Sequence, residues 1–174
     1  SIRAGENNKP ISGVEMWHKT LGVVGTGRIG KGVILRASGF QMKVLANDAY
    51  PDQEFVQSHN GTYVDLDTLF RESDFITLHA PLTEETKNMV DARRLAMMKP
   101  NAVLVNTARG GIVDEDALYE ALKAHTIGAA ALDATVVEPA CGSPLAFEAG
   151  FNMGMMAAQN VLDVLQGREC RFLV

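Results

Sequence analysis

Thr20-Leu-Gly-Val-Val-Gly-Thr-Gly-Arg-Ile-Gly30 is an apolar run that leads into a glycine-rich turn and then into the start of a helix. Its glycines, Gly25, Gly27 and Gly30, have the spacing G-x-G-x-x-G. At this spacing the first glycine allows a tight turn, the second lets a pyrophosphate approach the backbone, and the third lets helix and strand pack closely. Unpaired N–H groups at the helix start attract phosphate. The segment therefore predicts a dinucleotide-binding turn.

The residues that follow the turn support this interpretation. Apolar residues recur at helical spacing from Ile29 to Ala37, and a second strand is predicted at Met42 to Ala46, just before Asp48. An acid about 20 residues past the glycines accepts hydrogen bonds from the adenosine ribose. Asp48 would also repel a 2′-phosphate, which favours NAD over NADP. The alternative is that Asp48 is only a turn residue before Pro51.

Composition narrows the class of protein. The chain has 174 residues, of which 47% are hydrophobic and 21% charged, with a net charge of −5. This predicts a globular domain and disfavours nucleic acid and anionic membranes as partners. No apolar run approaches the ~20 residues of a membrane span. Cys141 and Cys170 form no metal-spaced cluster, so we expect free thiols, no metal site and a cytoplasmic location.

Predicted strands and helices alternate along the chain, with no internal repeat. Further strands are predicted at Thr62–Val64, Phe75–Leu78, Ala102–Val105 and Gly128–Leu132. Further helices are predicted at Asp52–Ser58, Asp65–Arg71, Asp91–Met98, Asp114–His125 and Asn152–Gln166. Unbroken apolar strands alternating with helices are typical of an α/β doubly wound parallel sheet, which is Rossmann-like. We expect an arm over residues 1–19 and one NAD-binding domain over residues 20–174.

Ligands bind such sheets beyond the carboxyl ends of the strands. Polar or conformationally special residues stand at each of these ends. They are Gly25–Gly30, Asp48, His79–Pro81, Asn106–Arg109, and Asp133 with the loop to Glu138.

Taken together, these strand-end motifs resemble the NAD-binding domain of the D-isomer-specific 2-hydroxyacid dehydrogenases. The resemblance follows the chain in order over nearly its whole length. The matching segments are Gly25-Thr-Gly-Arg-Ile-Gly30, Ser73-Asp-Phe-Ile-Thr-Leu-His-Ala-Pro-Leu-Thr83, Met98-Lys-Pro-Asn-Ala-Val-Leu-Val-Asn-Thr-Ala-Arg-Gly-Gly111, Val113-Asp-Glu-Asp-Ala-Leu118, and Ala131-Leu-Asp133 with Glu138-Pro139.

The resemblance implies a role for each matching residue. Arg28 and Ile29 would pack against the pyrophosphate, and His79 would face the cofactor without acid–base work. The nicotinamide half would be lined by Ala80, Pro81, Thr107, Ala108 and Asp133.

Two charged residues resemble the family's catalytic groups. Arg109 resembles the arginine whose planar guanidinium grips a carboxylate and polarises the neighbouring carbonyl. Glu138 resembles the acid that raises the pKa of the catalytic histidine, so that this histidine donates a proton near neutral pH. The alternatives are an ordinary surface arginine and a solvated loop acid before Pro139.

The chain departs from the family in two places. After Ser143-Pro-Leu145 the family continues through a strand and a loop that carries the catalytic histidine, and then enters its last helix. Here the segment Ser143-Pro-Leu-Ala-Phe-Glu148 runs almost directly into Ala149-Gly-Phe-Asn-Met-Gly154. About 15–20 residues are missing, too many for so short a connection to replace. Either the protein lacks this loop or the sequence omits residues that the protein contains. We favour the second, because Arg109 and Glu138 are both present. The family's smaller substrate domain has no counterpart in these 174 residues either, so we expect them to be the cofactor domain alone.

The expected function is therefore hydride transfer between NAD(H) and a 2-hydroxy or 2-keto acid, with this chain as the cofactor domain of a homodimer. The 174 residues alone are expected to be inactive. The alternative is a non-catalytic NAD(H)-binding or dimerisation module. The mass of the intact protein discriminates between a deleted loop and an omitted one.

Overall fold

A computed structural model of the chain describes residues 15–136. Three features of the sequence prediction lie outside these residues: most of the arm, Glu138 and the helix predicted at Asn152–Gln166.

The described residues form a parallel sheet of six strands. The strands are β1 (Thr20–Val24), β2 (Lys43–Asn47), β3 (Gly61–Tyr63), β4 (Phe75–Leu78), β5 (Val103–Asn106) and β6 (Ala129–Leu132). Their order in the sheet is β3-β2-β1-β4-β5-β6, and every neighbouring pair is parallel. The chain thus starts at the centre and winds outward in both directions, which confirms the doubly wound sheet. Such a sheet has its switch point beside β1.

The helices connect successive strands, and an aspartate caps four of them. They are α1 (Arg28–Ala37), α2 (Gln53–Ser58), α3 (Leu66–Glu72), α4 (Ala92–Met97) and α5 (Glu115–Lys123). The sequence prediction counted Asp52, Asp91 and Asp114 as first helical residues. Each is instead an N-cap whose side chain accepts a hydrogen bond from an N–H group three residues on. A short carboxylate satisfies these free donors better from outside the helix than from within it.

Burial of α1 fixes the angle at which the glycine-rich turn meets the sheet. Ile34 and Ala37 of α1 are buried against Val23 of β1 and Val44 of β2. Ile29 has the helical spacing of this apolar face, yet it is 70% exposed. It occupies the first turn of α1, directly after the glycine-rich turn. Ile29 is therefore available to a ligand and is not part of the core.

Two glycines are required by the backbone itself. Gly25 has φ +89°, which side-chain-bearing residues rarely adopt, and a Cβ on it would lie 2.7 Å from the carbonyl carbon of His79. Gly30 sits where α1 crosses the turn, and a Cβ on it would lie 2.0 Å from the carbonyl oxygen of Gly25. The turn is thus packed backbone against backbone, with no room for side chains.

This packing predicts opposite effects for two alanine substitutions within one helix. Gly30→Ala forces the carbonyl of Gly25 to move and is expected to lower the free energy of unfolding by roughly 2–3 kcal/mol. Gly32→Ala meets only the flexible guanidinium of Arg36, at 3.3 Å, and is expected to raise it by about 0.5–1 kcal/mol. Urea unfolding of both variants measures the difference. Equal effects of the two changes would show that the close approach at Gly30 is not restrictive.

Candidate functional site

The predicted site residues meet at the carboxyl edge of the sheet, because backbone hydrogen bonds continue past the strand ends. Gly25 N–H donates to the carbonyl of Asn47 at 2.8 Å, and His79 N–H donates to the carbonyl of Val24 at 2.7 Å. Asp133 N–H donates to the carbonyl of Asn106 at 2.9 Å. The segments after β1, β2, β4, β5 and β6 are thereby held side by side along one edge.

The glycine-rich turn leaves space and donors for an anion. Around Gly27 an added Cβ would meet no atom within 4 Å. Lys31 N–H closes the first helical hydrogen bond, to the carbonyl of Gly27 at 2.9 Å. The N–H groups of Arg28 and Ile29 have no acceptor within residues 15–136. An open backbone approach beneath free N–H groups fits a pyrophosphate.

A cavity of about 470 Å³ lies over this turn and is lined by Gly27, Arg28, Ile29 and His79. The Nε2 atom of His79 lies 2.9 Å from the hydroxyl oxygen of Thr77. Burial lowers the pKa of His79 below that of an ordinary histidine. The imidazole is therefore neutral near pH 7, which suits hydrogen bonding to a ligand and not proton donation.

Asp48 holds the turn as well as facing it. Its Oδ2 accepts hydrogen bonds from the N–H of Thr26 at 2.5 Å and from the hydroxyl of Thr26 at 3.0 Å. Its Oδ1 accepts from Tyr50 N–H at 2.8 Å. Burial works to raise the pKa of the Asp48 carboxyl, but the hydrogen bonds from Tyr50 and Thr26 and the charge of Lys31 outweigh it and lower that pKa. Asp48 is an ionised acceptor whose orientation is fixed.

Thr26 was not among the site residues predicted from the sequence. It is 3% exposed although its side chain carries a hydroxyl. Its position in the motif is open to many residue types, so the residue itself gives no signal. The register of β1 and β2, which pairs Val24 with Asn47, is what brings Thr26 beside Asp48.

The loop after β5 is held by a buried amide. Asn106 is fully buried, and its Oδ1 accepts from Ala108 N–H at 3.0 Å while its Nδ2 donates to the carbonyl of Arg109 at 2.8 Å. The Arg109 side chain is exposed, and its Nη1 donates to the carbonyl of Ala108 at 2.7 Å. Sequence analysis placed Asn106 at this strand end but assigned it no role. Its role is to fix the backbone that carries Arg109.

Arg109 and Ala108 line a larger cavity of about 770 Å³, together with residues of the β4–α4 loop and of the segment after β6. Within residues 15–136 the guanidinium of Arg109 has no carboxylate partner. An unneutralised guanidinium at a cavity is suited to binding a carboxylate. The remaining residues predicted for the nicotinamide half line neither cavity, although they lie at the same edge; they are Ala80, Pro81, Thr107 and Asp133.

Residues 15–136 contain no group of three or more His, Cys, Asp or Glu side chains arranged to hold a metal ion. No described helix is long and apolar enough to cross a membrane.

Comparison with known proteins points to one family. Residues 1–155 match the sequence model described as D-isomer specific 2-hydroxyacid dehydrogenase, NAD binding domain. The chain is 46% identical over 147 residues to D-3-phosphoglycerate dehydrogenase of Methanocaldococcus jannaschii, an alignment that covers 83% of this chain and 28% of the relative. It is 40% identical over 188 residues to glyoxylate/hydroxypyruvate reductase B of Shigella boydii, covering 96% and 58%.

Solved structures agree with the sequence relatives. D-lactate dehydrogenase of Aquifex aeolicus, in complex with NAD and lactic acid, superposes with a TM-score of 0.72 at 38% identity and covers 83% of this chain and 43% of that one. The chain thus spans between 28% and 58% of the length of these relatives. The alignment with the Shigella reductase runs over 188 positions, more than the 174 residues of this chain. That relative therefore contains residues with no counterpart here.

Proposed function

The chain belongs to the D-isomer-specific 2-hydroxyacid dehydrogenase family, whose NAD-binding domain it matches, and we propose that its sheet edge is the cofactor half of an enzyme that moves a hydride between NAD(H) and a 2-hydroxy or 2-keto acid. The observation that carries the proposal is the open backbone at Gly27 beneath the free N–H groups of α1. A Cβ on Gly27 would meet no protein atom within 4 Å, so the backbone there is open to a pyrophosphate.

The proposed roles of the cofactor residues follow from this placement. Gly25 and Gly30 shape the turn, Gly27 admits the pyrophosphate, and Arg28 and Ile29 flank it. Asp48 accepts from the adenosine ribose, and His79 presents a neutral imidazole to the same cavity. When bound, the nicotinamide gives or takes the hydride. We assign its side of the site to Ala80, Pro81, Thr107, Ala108 and Asp133.

Arg109 is the proposed anchor for the substrate. Its guanidinium forms no ion pair within residues 15–136 and stands at the larger cavity, which Glu84 also lines. There it can hold the substrate carboxylate and stabilise charge that develops on the neighbouring oxygen. Glu138 is proposed to pair with a catalytic histidine. His79, which lines the cofactor cavity, does not fit this role, because burial lowers its pKa.

A second candidate is a non-catalytic NAD(H)-binding or dimerisation module. It is favoured by the sequence around Glu148 and Ala149, where the family's histidine loop has no counterpart. The alignment that exceeds the chain in length is consistent with such a missing segment. Arg109 favours the enzyme, because a module that only binds NAD does not need a guanidinium to bind a substrate carboxylate.

The first test is cofactor choice. We expect the chain to bind NADH at least about tenfold more tightly than NADPH, because a 2′-phosphate would lie against the ionised Asp48. Calorimetric titration with both cofactors measures the ratio. Equal affinity for NADH and NADPH would exclude the ribose role of Asp48.

Asp48→Ala is expected to bring the two affinities together, since it removes both the ribose acceptor and the repulsion. Because Asp48 also holds Thr26, part of the loss in this variant comes from the turn. Asp48→Asn is the matched control, since its amide oxygen can still accept from Thr26 N–H while the charge is gone. Discrimination that survives in Asp48→Asn would mean that charge repulsion is not its source.

We also propose that the chain is cytoplasmic, that residues 1–19 form an arm and residues 20–174 the NAD-binding domain, and that this domain forms a homodimer. Within the described part of the arm, Met16 and Trp17 are 36% and 46% exposed. His18 N–H donates to the carbonyl of Phe40, which is itself 46% exposed. Exposed aromatic and aliphatic surface of this kind favours association.

Sedimentation at tens of micromolar protein is expected to show a dimer, and Phe40→Glu is expected to shift it towards monomer, because it places a charge in the buried interface. Leu82→Glu is a suitable control, since Leu82 is 47% exposed but lines the Arg109 cavity. A monomeric wild type would contradict the proposal. Dissociation by Leu82→Glu and not by Phe40→Glu would place the interface elsewhere.

A further inference from the structure

A chain of hydrogen bonds runs from the start of α2 to the glycine-rich turn. The hydroxyl of Tyr63, the last residue of β3, lies 2.9 Å from Asp52 N and 2.7 Å from Thr26 Oγ1. Thr26 Oγ1 in turn lies 3.0 Å from Asp48 Oδ2. Thr26 is 3% exposed, so water does not substitute freely for these partners.

The chemistry of the groups fixes the direction of each bond. An ionised carboxylate only accepts, so the single hydroxyl proton of Thr26 must point to Asp48. Thr26 Oγ1 then accepts from the hydroxyl of Tyr63, because a hydroxyl has one proton to give. The oxygen of Tyr63 accepts a hydrogen bond from Asp52 N–H. Each group therefore donates to the next one in the chain, and the last acceptor is the carboxylate of Asp48.

We infer that Tyr63 is a positioning residue for cofactor choice: through Thr26 it holds the Asp48 carboxylate in the orientation that receives the adenosine ribose and opposes a 2′-phosphate. The inference rests on the proposed function, since it concerns how Asp48 performs its role there.

The need for such a clamp follows from the acceptor capacity of Asp48. A carboxylate has about four lone-pair sites, and hydrogen bonds from Thr26 and Tyr50 occupy three of them. One acceptor site of the carboxylate therefore remains for a ribose hydroxyl, and the three bonds from Thr26 and Tyr50 fix the direction in which that site points. Hydrogen bonds in series also polarise one another, so removal of the Tyr63 donor weakens the bond from Thr26 to Asp48.

The test is Tyr63→Phe, which removes one oxygen and keeps the ring packed against the core cluster that includes Val23 of β1 and Val44 of β2. We expect NADH affinity to fall about 3- to 10-fold, as for one lost hydrogen bond, and NADPH affinity to change less. The ratio of NADH affinity to NADPH affinity should therefore decrease. The same change made in Asp48→Ala should leave the ratio unaltered, because the clamp then has nothing to orient. Tyr119→Phe on α5, whose hydroxyl makes no hydrogen bond within residues 15–136, is the matched control.

A merely structural role of Tyr63 predicts a different pattern, in which both cofactors lose affinity equally and the loss persists in Asp48→Ala. That result would overturn the inference. Thr26 provides an independent check if Tyr63→Phe folds poorly: Thr26→Val should narrow the ratio and Thr26→Ser should preserve it. An unchanged ratio in Thr26→Val would also overturn the inference. If the wild type shows no preference for NADH, the proposed role of Asp48 fails first and the inference with it.

Discussion

A polypeptide of these 174 residues is expected to bind NADH and yet to reduce 2-keto acids at least about 100-fold more slowly than the ~10 s⁻¹ of an ordinary enzyme. The reason is the lack of a proton donor for the developing alkoxide. Arg109 cannot serve, because a guanidinium hardly deprotonates in proteins. His79 cannot serve either, because its pKa is lowered by burial and its Nε2 is engaged with Thr77.

Substrate positioning adds to this loss. Arg109 is the only substrate contact proposed within the described residues, and a single anchor does not hold a carbonyl in attack geometry. Poor orientation can forfeit several kcal/mol of barrier lowering. The two deficits act on the same step, so together they are expected to exceed the roughly 10²–10⁴-fold contribution of general acid catalysis alone.

The measurement is NADH oxidation with glyoxylate, hydroxypyruvate and pyruvate, on protein whose mass equals that of the 174 residues. NADH binding is titrated on the same sample, so that an inactive preparation is distinguished from one that does not bind. Turnover near 10 s⁻¹, the ordinary value, would mean that the acid has been misplaced. His79→Gln would then be the first variant to make. A measured mass above that of the 174 residues would show that the protein contains residues that this sequence lacks.

The fold could be predicted because its signals are local. Every strand except β3, which is Gly61-Thr-Tyr63, is a mostly apolar run, and each described helix after α1 begins beside an aspartate. The predicted strands and α-helices within residues 15–136 are therefore confirmed with boundaries shifted by at most two residues, whereas the 3₁₀ helices Ser38–Phe40 and Gly110–Ile112 were not predicted. The exposure of Ile29 was not predictable from periodicity, because the helical spacing of the apolar residues continues into the first turn of α1, where Ile29 is not buried.

The site divides in the same way. Residues that contact a ligand through backbone or charge, such as Gly27 and Arg109, stand in recognisable motifs at strand ends. Residues that position these ligand-contacting residues do not stand in recognisable motifs. Tyr63 reaches Thr26 only because β3, β2 and β1 are neighbours with a particular register, and no spacing along the chain encodes that contact.

The remaining large effect concerns Gly27. Gly27→Ala is expected to weaken NADH binding about 10²–10⁴-fold, because a Cβ at this position would displace the pyrophosphate and break two or more charge-assisted hydrogen bonds to the helix start. The fold should be unaffected: Gly27 has φ −66°, which alanine adopts readily, and its Cβ would meet no protein atom within 4 Å. The substitution therefore separates cofactor binding from stability.

Gly39→Ala is the control, because Gly39 also has open space around it but lies in the 3₁₀ helix Ser38–Phe40 and lines neither cavity. Both variants should unfold in urea close to the wild type, and only Gly27→Ala should lose NADH. Retained binding in Gly27→Ala would show that the pyrophosphate does not approach the backbone there. Since the proposed cofactor site depends on this approach more than on any side chain, that result would count against the whole placement of NAD on the carboxyl edge. Lost binding with unchanged stability would instead place the pyrophosphate on the N–H groups at the start of α1.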